Sequence, residues 1–336
     1  MLPIASHEPA EPTRAILPRA TSPAKTVFLT GPTASGKSAL GVELAERLGA
    51  EIVSMDSMAL YRGMSIGTAK PSPDDQRRVR HHLVDLLDPW EEFSLAQYLS
   101  AADDAVRQIH LRGLVALFVG GTPLYLISLL RGASSGPPPD LEFRTRLEQE
   151  AARDGTEHLH RRLADVDPRA AERIAPTDLR RIVRALEVFE KSGQPISASQ
   201  VHFHGPPRAE VAVFCLDLPR DVLYQRINAR VERMFAAGLV EEVAALLRLN
   251  RPLSRTSRQA LGYKEVIAHL QDDTTRIATI DLVQRRSRQF AKRQLTWFRS
   301  IAELRSVQIG PDAEAVAGVD QILAVLAITP TECPTP

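Results

Sequence analysis

The sequence predicts an α/β fold: a parallel sheet flanked by helices and interrupted by a helical insertion. Three observations carry that expectation. Short apolar runs alternate with helix-length patterns from Thr26 onward. A proline-rich break, SSGPPPD at 134–140, opens a charged stretch without strand-like runs, and strand character returns only at residue 211. Strand, helix and strand at these lengths make parallel crossover units.

The elements follow in order. TVFLT (26–30) is an apolar run stopped by Gly31, and a helix pattern extends from Lys37 to Leu48. EIVSM (51–55) is a second strand, ending at Asp56. Ser94 is a capping type of residue ahead of a helix reaching about Arg112. LVALFV (114–119) is a buried strand running into Gly120 and Gly121. Leu141 to about Glu190 reads as helical until KSGQPISASQ breaks it. VAVFCLDLP (211–219) is again a strand, followed by a helix over Arg220–Phe235, and a long basic helix pattern spans Thr274–Arg299. The expected organisation is a core in two parts, 26–136 and 206–326, around a helical insertion at 137–205. Residues 1–25, with five prolines and no apolar secretory stretch, read as a disordered tail, and 327–336 as a loose one.

A net charge of +1 carries no global signal for a polyanion. Residues 251–300, however, hold eleven Lys or Arg against four Asp or Glu, a basic surface facing something anionic. Two cysteines, Cys215 and Cys333, exclude a disulfide framework and a cysteine metal cluster, and suit a reducing, cytoplasmic compartment. No apolar run approaches the roughly 18 residues of a membrane span. His81 and His82 lack a close third ligand, so a structural role is expected of them. Nothing resembles a Ser-His-Asp or Cys-His nucleophile arrangement.

The segment Gly31-Pro32-Thr33-Ala34-Ser35-Gly36-Lys37-Ser38 has the spacing G-x-x-x-x-G-K-S directly between a strand and a helix. Glycines let the backbone N–H groups wrap an anion, the helix N-terminus adds its dipole, Lys37 adds a point charge and Ser38 can hold Mg²⁺. This is a P-loop; it identifies phosphate without saying whose. A hydrolase or motor needs a further strand ending in a metal-holding Asp. The strand at 114–119 ends in GGT, and Asp217 reads as a strand-terminal polar residue, so a small-molecule kinase stays open. Asp56, at the carboxyl end of a parallel strand, faces the ligand edge of the sheet with Lys37. It is either an Asx turn or a carboxylate that accepts a proton or holds a metal. Ser57, Tyr61, Arg62 and IGTAKP continue that loop.

Seven blocks then appear in order: GPTASGKSAL, VSMDSMALYRGMSIGTAKP, HHLVD, FVGGTPLY, LRRIVRALEV, RQALGYKEV and QFAKRQLTWFR, over roughly residues 26–300. Together they resemble the tRNA dimethylallyltransferases, also called tRNA isopentenylpyrophosphate transferases, of bacterial type. The resemblance implies a fold similar to P-loop kinases, with an insertion that contacts the tRNA anticodon arm. It implies transfer of a dimethylallyl group from its diphosphate to N6 of adenine-37 in tRNAs reading codons that begin with U. The cradle at 31–38 would then hold the donor diphosphate, with Mg²⁺ bridging it and Ser38 assisting. By position, Asp56 matches the family's general base, Thr122 the threonine beside donor and target base, and Arg230 an arginine on the diphosphate. Ser57, Met58 and Ala59 beside Asp56, then Arg180, Arg181, Ile182, Val183 and Arg184, then Arg258, Gly262, Tyr263 and Lys264, fall in segments that touch tRNA.

On the long basic helix, Arg285, Arg288 and Lys292 share one face, with Arg286 and Arg293 on the next stripe. Phe290, Leu295, Trp297 and Phe298 are expected on the buried side. Two departures from the family pattern stand out: Pro123 after GGT, which the first turn of a helix tolerates, and Ser65 where an Asp is commoner. Nothing demands more than a monomer. The rival readings are a small-molecule kinase, an adenylate prenyltransferase and a non-catalytic RNA-binding protein.

Overall fold

The structure, a computed structural model, describes residues 26–132, 136–199, 211–271, 274–310 and 315–326. The tails expected at 1–25 and 327–336 lie outside the described residues. The chain divides into two compact units, one spanning Ser128–Arg208 and the other holding the residues on either side.

The larger unit begins with β1 (Thr26–Thr30), α1 (Lys37–Leu48), β2 (Ala50–Ser54), α2 (Pro73–Arg78), β3 (His81–His82), α3 (Leu95–Leu111), β4 (Val115–Val119) and α4 (Pro123–Arg131), which runs on into the smaller unit. The smaller unit continues as α5 (Leu141–Asp154), α6 (Thr156–Val166), α7 (Pro168–Arg173), α8 (Leu179–Ser192) and α9 (Ile196–Ser199). The larger resumes with β5 (Ala212–Asp217), α10 (Arg220–Ala236), α11 (Leu239–Leu247), α12 (Arg255–Arg258), α13 (Tyr263–Gln271), α14 (Arg276–Phe298), β6 (Leu304–Gln308) and α15 (Ala315–Val325).

The strands form one parallel sheet in the order β3-β2-β4-β1-β5-β6. Helices cover both faces of such a sheet, which is why β1 and β2 are apolar-rich and buried along their whole length. Phe28 and Phe118, register partners on β1 and β4, stack at 4.8 Å. Leu29, Leu40, Leu44, Phe214, Leu216, Ile227, Val307 and Ile322 lie in one continuous core cluster. Helix starts obey local chemistry. Ser94 accepts from the Gln97 N–H at 3.2 Å while Gln97 returns a bond to the Ser94 N–H at 2.9 Å, a capping box that fixes the start of α3. Pro123 opens α4, where its missing N–H costs nothing.

Within the smaller unit, Phe143, Leu147, Leu159, Leu163, Ile182 and Leu186 form a separate core. Glu187, fully buried, accepts from Arg144 at 2.8 Å, from the Asp140 N–H at 2.6 Å and from Arg184.

The basic helix departs in part from expectation: Phe298 is buried and Leu295 packs against the core cluster, while Phe290 is half-buried. The buried stripe of α14 is Thr279, Val283, Ser287, Ala291, Gln294 and Phe298, and Trp297 is 44% exposed. Small residues face inward because α10 and α13 pack closely against this helix.

Candidate active site

The loop after β1 wraps into the first turn of α1. Gly36 caps that helix with φ 92°, a left-handed conformation that glycine adopts without strain. The Ser35 N–H turns back to the Pro32 carbonyl at 3.2 Å. Ser35 Oγ is buried and has no hydrogen-bond partner among the described residues, an orphaned hydroxyl within the loop. Lys37 opens α1, and Ser38 beside it is exposed.

Two cations face this loop. Burial, with the Arg230 guanidinium adding repulsion, brings the Lys37 ammonium down to about 8, against an opposing pull from Asp56. Arg230, from α10, donates to Thr33 Oγ1 at 3.2 Å and to the Thr68 carbonyl at 3.5 Å. Burial depresses its pKa as well, and Asp56 again opposes. A third, Arg226, stands one helical turn earlier, with Nη1 3.9 Å from where a Cβ on Gly36 would lie. The loop is therefore short of negative charge and suits an anion bearing several phosphate oxygens.

The acceptor edge is built by interlocking the loops that follow β2 and β4. The Met55 N–H donates to the Val119 carbonyl at 2.8 Å, and the Thr122 N–H returns to the Met55 carbonyl at 3.3 Å. Gly120 makes this approach possible: a Cβ there would fall 2.1 Å from the Met55 oxygen. Asp56 emerges at the junction and accepts from the Met58 N–H at 2.9 Å through Oδ1. The Asx turn weighed from the sequence is thus present, and the same carboxylate acts electrostatically on Lys37 and Arg230. Thr122 Oγ1 accepts from the Ser57 N–H at 3.3 Å. Tyr98 and Tyr125 stack at 3.6 Å, and Tyr98 donates to the Ser54 carbonyl at 3.0 Å. Burial, reinforced by nearby acidic groups, raises both phenols, which stay neutral.

Glu242 on α11 fixes the loop beyond Asp56. It accepts from the N–H groups of Ser65 at 3.0 Å, Ile66 at 2.9 Å and Gly67 at 3.4 Å, and from the Tyr263 hydroxyl at 2.5 Å. Ser65, the departure from the family pattern, is therefore held through its backbone. Lys70, almost fully buried, donates to Asp85 Oδ1 at 2.5 Å and to the Tyr61 carbonyl.

The other residues singled out from the sequence divide by exposure. Arg180, Arg181, Arg258 and Lys264 are exposed, and Ser57 and Met58 are half-buried. Ala59, Ile182, Val183 and Tyr263 are buried, so their side chains serve packing and leave surface contact to their neighbours. Arg184 is engaged by Glu187 and the Pro137 carbonyl. The Gly262 N–H is taken by Glu265 at 2.8 Å, which also binds Arg286 at 2.9 Å. Arg288 donates to Asn228, while Arg285, Lys292 and Arg293 are exposed. Asp217 accepts from Gln308 at 3.0 Å on the neighbouring strand. Burial pushes the Cys215 thiol up to about 12, which leaves it inert. His82 bonds Glu51 at 2.6 Å, and no group of three metal-ligating side chains occurs among the described residues. Sequence reasoning missed Arg226, Glu242 and Gln294. Only Arg226 left a signal, four residues ahead of Arg230 on one helix face.

A family model described as IPP transferase matches residues 59–301, and one described as isopentenyl transferase matches 24–86. The chain is 45% identical over 312 residues to a tRNA dimethylallyltransferase of Rhodopirellula baltica, covering 90% of this chain and 93% of that one. It is 47% identical over 281 residues to the Geobacter metallireducens protein of the same name, covering 83% and 91%. Among solved structures, the tRNA isopentenylpyrophosphate transferase of Bacillus halodurans superimposes with TM-score 0.67 at 37% identity, covering 91% of this chain and 96% of that one. A eukaryotic dimethylallyltransferase acting on tRNA shares the fold, with TM-score 0.72 at 24% identity, covering 85% and 74%. No helix among the described residues is long and apolar enough to cross a membrane.

Proposed function

The chain belongs to the tRNA dimethylallyltransferase family, and on that premise we propose that it moves the dimethylallyl group of dimethylallyl diphosphate onto N6 of adenine-37, in tRNAs that read codons beginning with U. The cradle at 31–38 holds the donor's diphosphate. The enzyme works as a cytoplasmic monomer on the anticodon stem-loop.

The observation that carries this reading is the pair of half-buried cations, Lys37 and Arg230, that face the loop beside an orphaned Ser35 hydroxyl, with the Arg230 charge helping to depress the Lys37 ammonium. A bound diphosphate relieves that repulsion, and the two cations in turn stabilise charge growing on the leaving group. The C–O bond of the allylic carbon breaks as the N6–C bond forms, and diphosphate departs into the cradle. Adenine N6 is a poor nucleophile because its lone pair is delocalised into the ring. Asp56 orients the amine and takes its proton as the new bond forms. Thr122, fixed through Ser57, stands beside both reactants. The target base leaves its stack to reach this edge, at a cost of a few kcal/mol or less for an unpaired loop base.

Ser38, an exposed hydroxyl in the first turn of α1, would hold Mg²⁺ together with the donor's phosphate, since that metal takes few protein ligands. When bound it neutralises diphosphate charge. Exposed Arg180, Arg181, Arg258, Lys264, Arg285, Lys292 and Arg293 are available for RNA phosphates.

The test is incubation with Mg²⁺, radiolabelled dimethylallyl diphosphate and unmodified tRNA containing A36-A37-A38. Label is expected at N6 of adenine-37. Asp56→Asn keeps the oxygen that binds the Met58 N–H, and is expected to lose roughly 10²–10⁴-fold in rate while still binding donor. Transfer to AMP, or consumption of ATP without tRNA labelling, overturns the reading in favour of an adenylate prenyltransferase or a kinase. Binding of tRNA with no transfer to any acceptor would leave an RNA-binding protein.

A further inference from the structure

Gln294 lies on α14, far in sequence from the cradle and from the acceptor edge, yet it touches both. Its Oε1 accepts from the Thr33 N–H at 2.9 Å, and its Nε2 donates to the Gly121 carbonyl at 2.6 Å. The side chain is 3% exposed. Gly121 is shaped around it: a Cβ at that position would stand 2.7 Å from Nε2.

We propose that Gln294 is a positioning residue that sets the spacing between the donor's diphosphate cradle and the Asp56–Thr122 edge. The inference rests on the reading that the cradle holds the donor. A continuous chain of bonds runs through it: Arg230 to Thr33 Oγ1, the Thr33 N–H to Gln294, Gln294 to Gly121, and the adjacent Thr122 to the Ser57 N–H. A carboxamide suits this place because it offers one acceptor and one donor on a planar group without charge. A carboxylate of the same length cannot donate to the Gly121 oxygen and adds a negative charge near Lys37, whose Cε lies 3.4 Å from the same Cβ position on Gly121. A methylene fewer cannot reach both loops from one helix position.

The grip on diphosphate does not depend on this bridge, since Lys37, Arg230 and the loop N–H groups remain without it. Misplacing a reacting group by about 1 Å costs on the order of 10²-fold in rate. The expected signature is therefore a loss in kcat with donor binding preserved. Gln294→Met removes both bonds at similar volume and Gln294→Asn keeps the carboxamide but shortens it. Both are measured for kcat and donor KM on tRNA, for pyrophosphate binding by calorimetry in excess Mg²⁺, and for thermal unfolding. Expected for each is a fall in kcat of roughly 10²-fold, with donor KM and pyrophosphate Kd within about threefold of wild type.

Wild-type kcat in a folded variant overturns the proposal. A rise in KM and pyrophosphate Kd that accounts for the whole loss makes Gln294 a binding residue and also overturns it. If neither variant folds, the bridge is structural and the proposal falls. Absence of tRNA labelling by the wild-type protein would instead defeat the functional reading on which the proposal rests.

Discussion

Replacing Glu242 with alanine removes the acceptor of three backbone N–H groups and one phenol. The Ser65 N–H is exposed and rehydrates, and the Gly67 contact at 3.4 Å is weak. Two losses remain: the half-buried Ile66 N–H and the hydroxyl of Tyr263, a residue with no exposed surface. At about 1.5 kcal/mol for each bond to a charged acceptor, they sum to about 3 kcal/mol. That energy is local to the loop at 65–68 and corresponds to roughly 10²-fold in the equilibrium of local opening. Amide hydrogen exchange of a peptide containing Ser65–Gly67 reads it directly. Glu242→Ala is expected to exchange roughly 10²-fold faster there, with core amides of β1 and β4 little changed. Tyr263→Phe removes one bond and leaves the amide contacts, so acceleration is at most about tenfold. Exchange in Glu242→Ala within about threefold of wild type would refute the claim that this carboxylate holds the loop.

Three further outcomes are expected. Lys37 loses its proton as pH rises through about 8 in the free protein, so pyrophosphate affinity measured by calorimetry falls above that pH, by up to about tenfold per unit, while Lys37→Arg stays flat over the same range. Gly120→Ala drives a Cβ to 2.1 Å from the Met55 oxygen and 2.2 Å from its carbonyl carbon, so equilibrium unfolding in urea should show a loss of about 3 kcal/mol or more. Burial pushes the Glu51 carboxyl upward, but bonds from Arg112 at 2.7 Å and His82 at 2.6 Å outweigh it and hold the group below its ordinary 4.5. The stability it contributes is full above 4.5 and is lost as pH falls through the lower folded value, so Arg112→Met, which moves the folded value back up, should lower Tm at neutral pH and flatten its dependence on pH below 4.5.

The fold core was legible because its signals are local. A strand that ends in glycine, a lysine on the next helical turn and a Ser cap each act within a few residues, and β1, α1 and α3 begin where those residues put them. The edges of the sheet were not legible. β3 is two residues long, and β6 reads LRSVQ with only Val307 buried, so neither carries an apolar period. The face of α14 was legible in part: Phe298 is buried as expected and Leu295 packs against the core, but Trp297 is exposed. Burial there follows close helix packing, which selects Ser287 and Ala291 over the larger Trp297. At the candidate site, Lys37 and Asp56 announce themselves by position in a motif or at a strand end. Glu242 and Gln294 act across folded distance, Glu242 on a loop about 175 positions away and Gln294 on residues 173 and 261 positions away, and no local pattern names either partner.

The strand order carries a consequence for how the protein is made. β1 lies between β4 and β5, and β5 follows the smaller unit in the chain. At ordinary translation speeds, about 5–20 s separate the synthesis of β4 from that of β5. Throughout that interval β1 has one edge whose pairing strand has not yet been made. The Thr33 loop at its end matures later still. Its two tethers, Arg230 and Gln294, arrive as successive deliveries from α10 and α14. A nascent chain stalled just before residue 294 already contains the whole glycine-rich motif and the Arg230 tether, and still lacks the Gln294 bond to the Thr33 N–H.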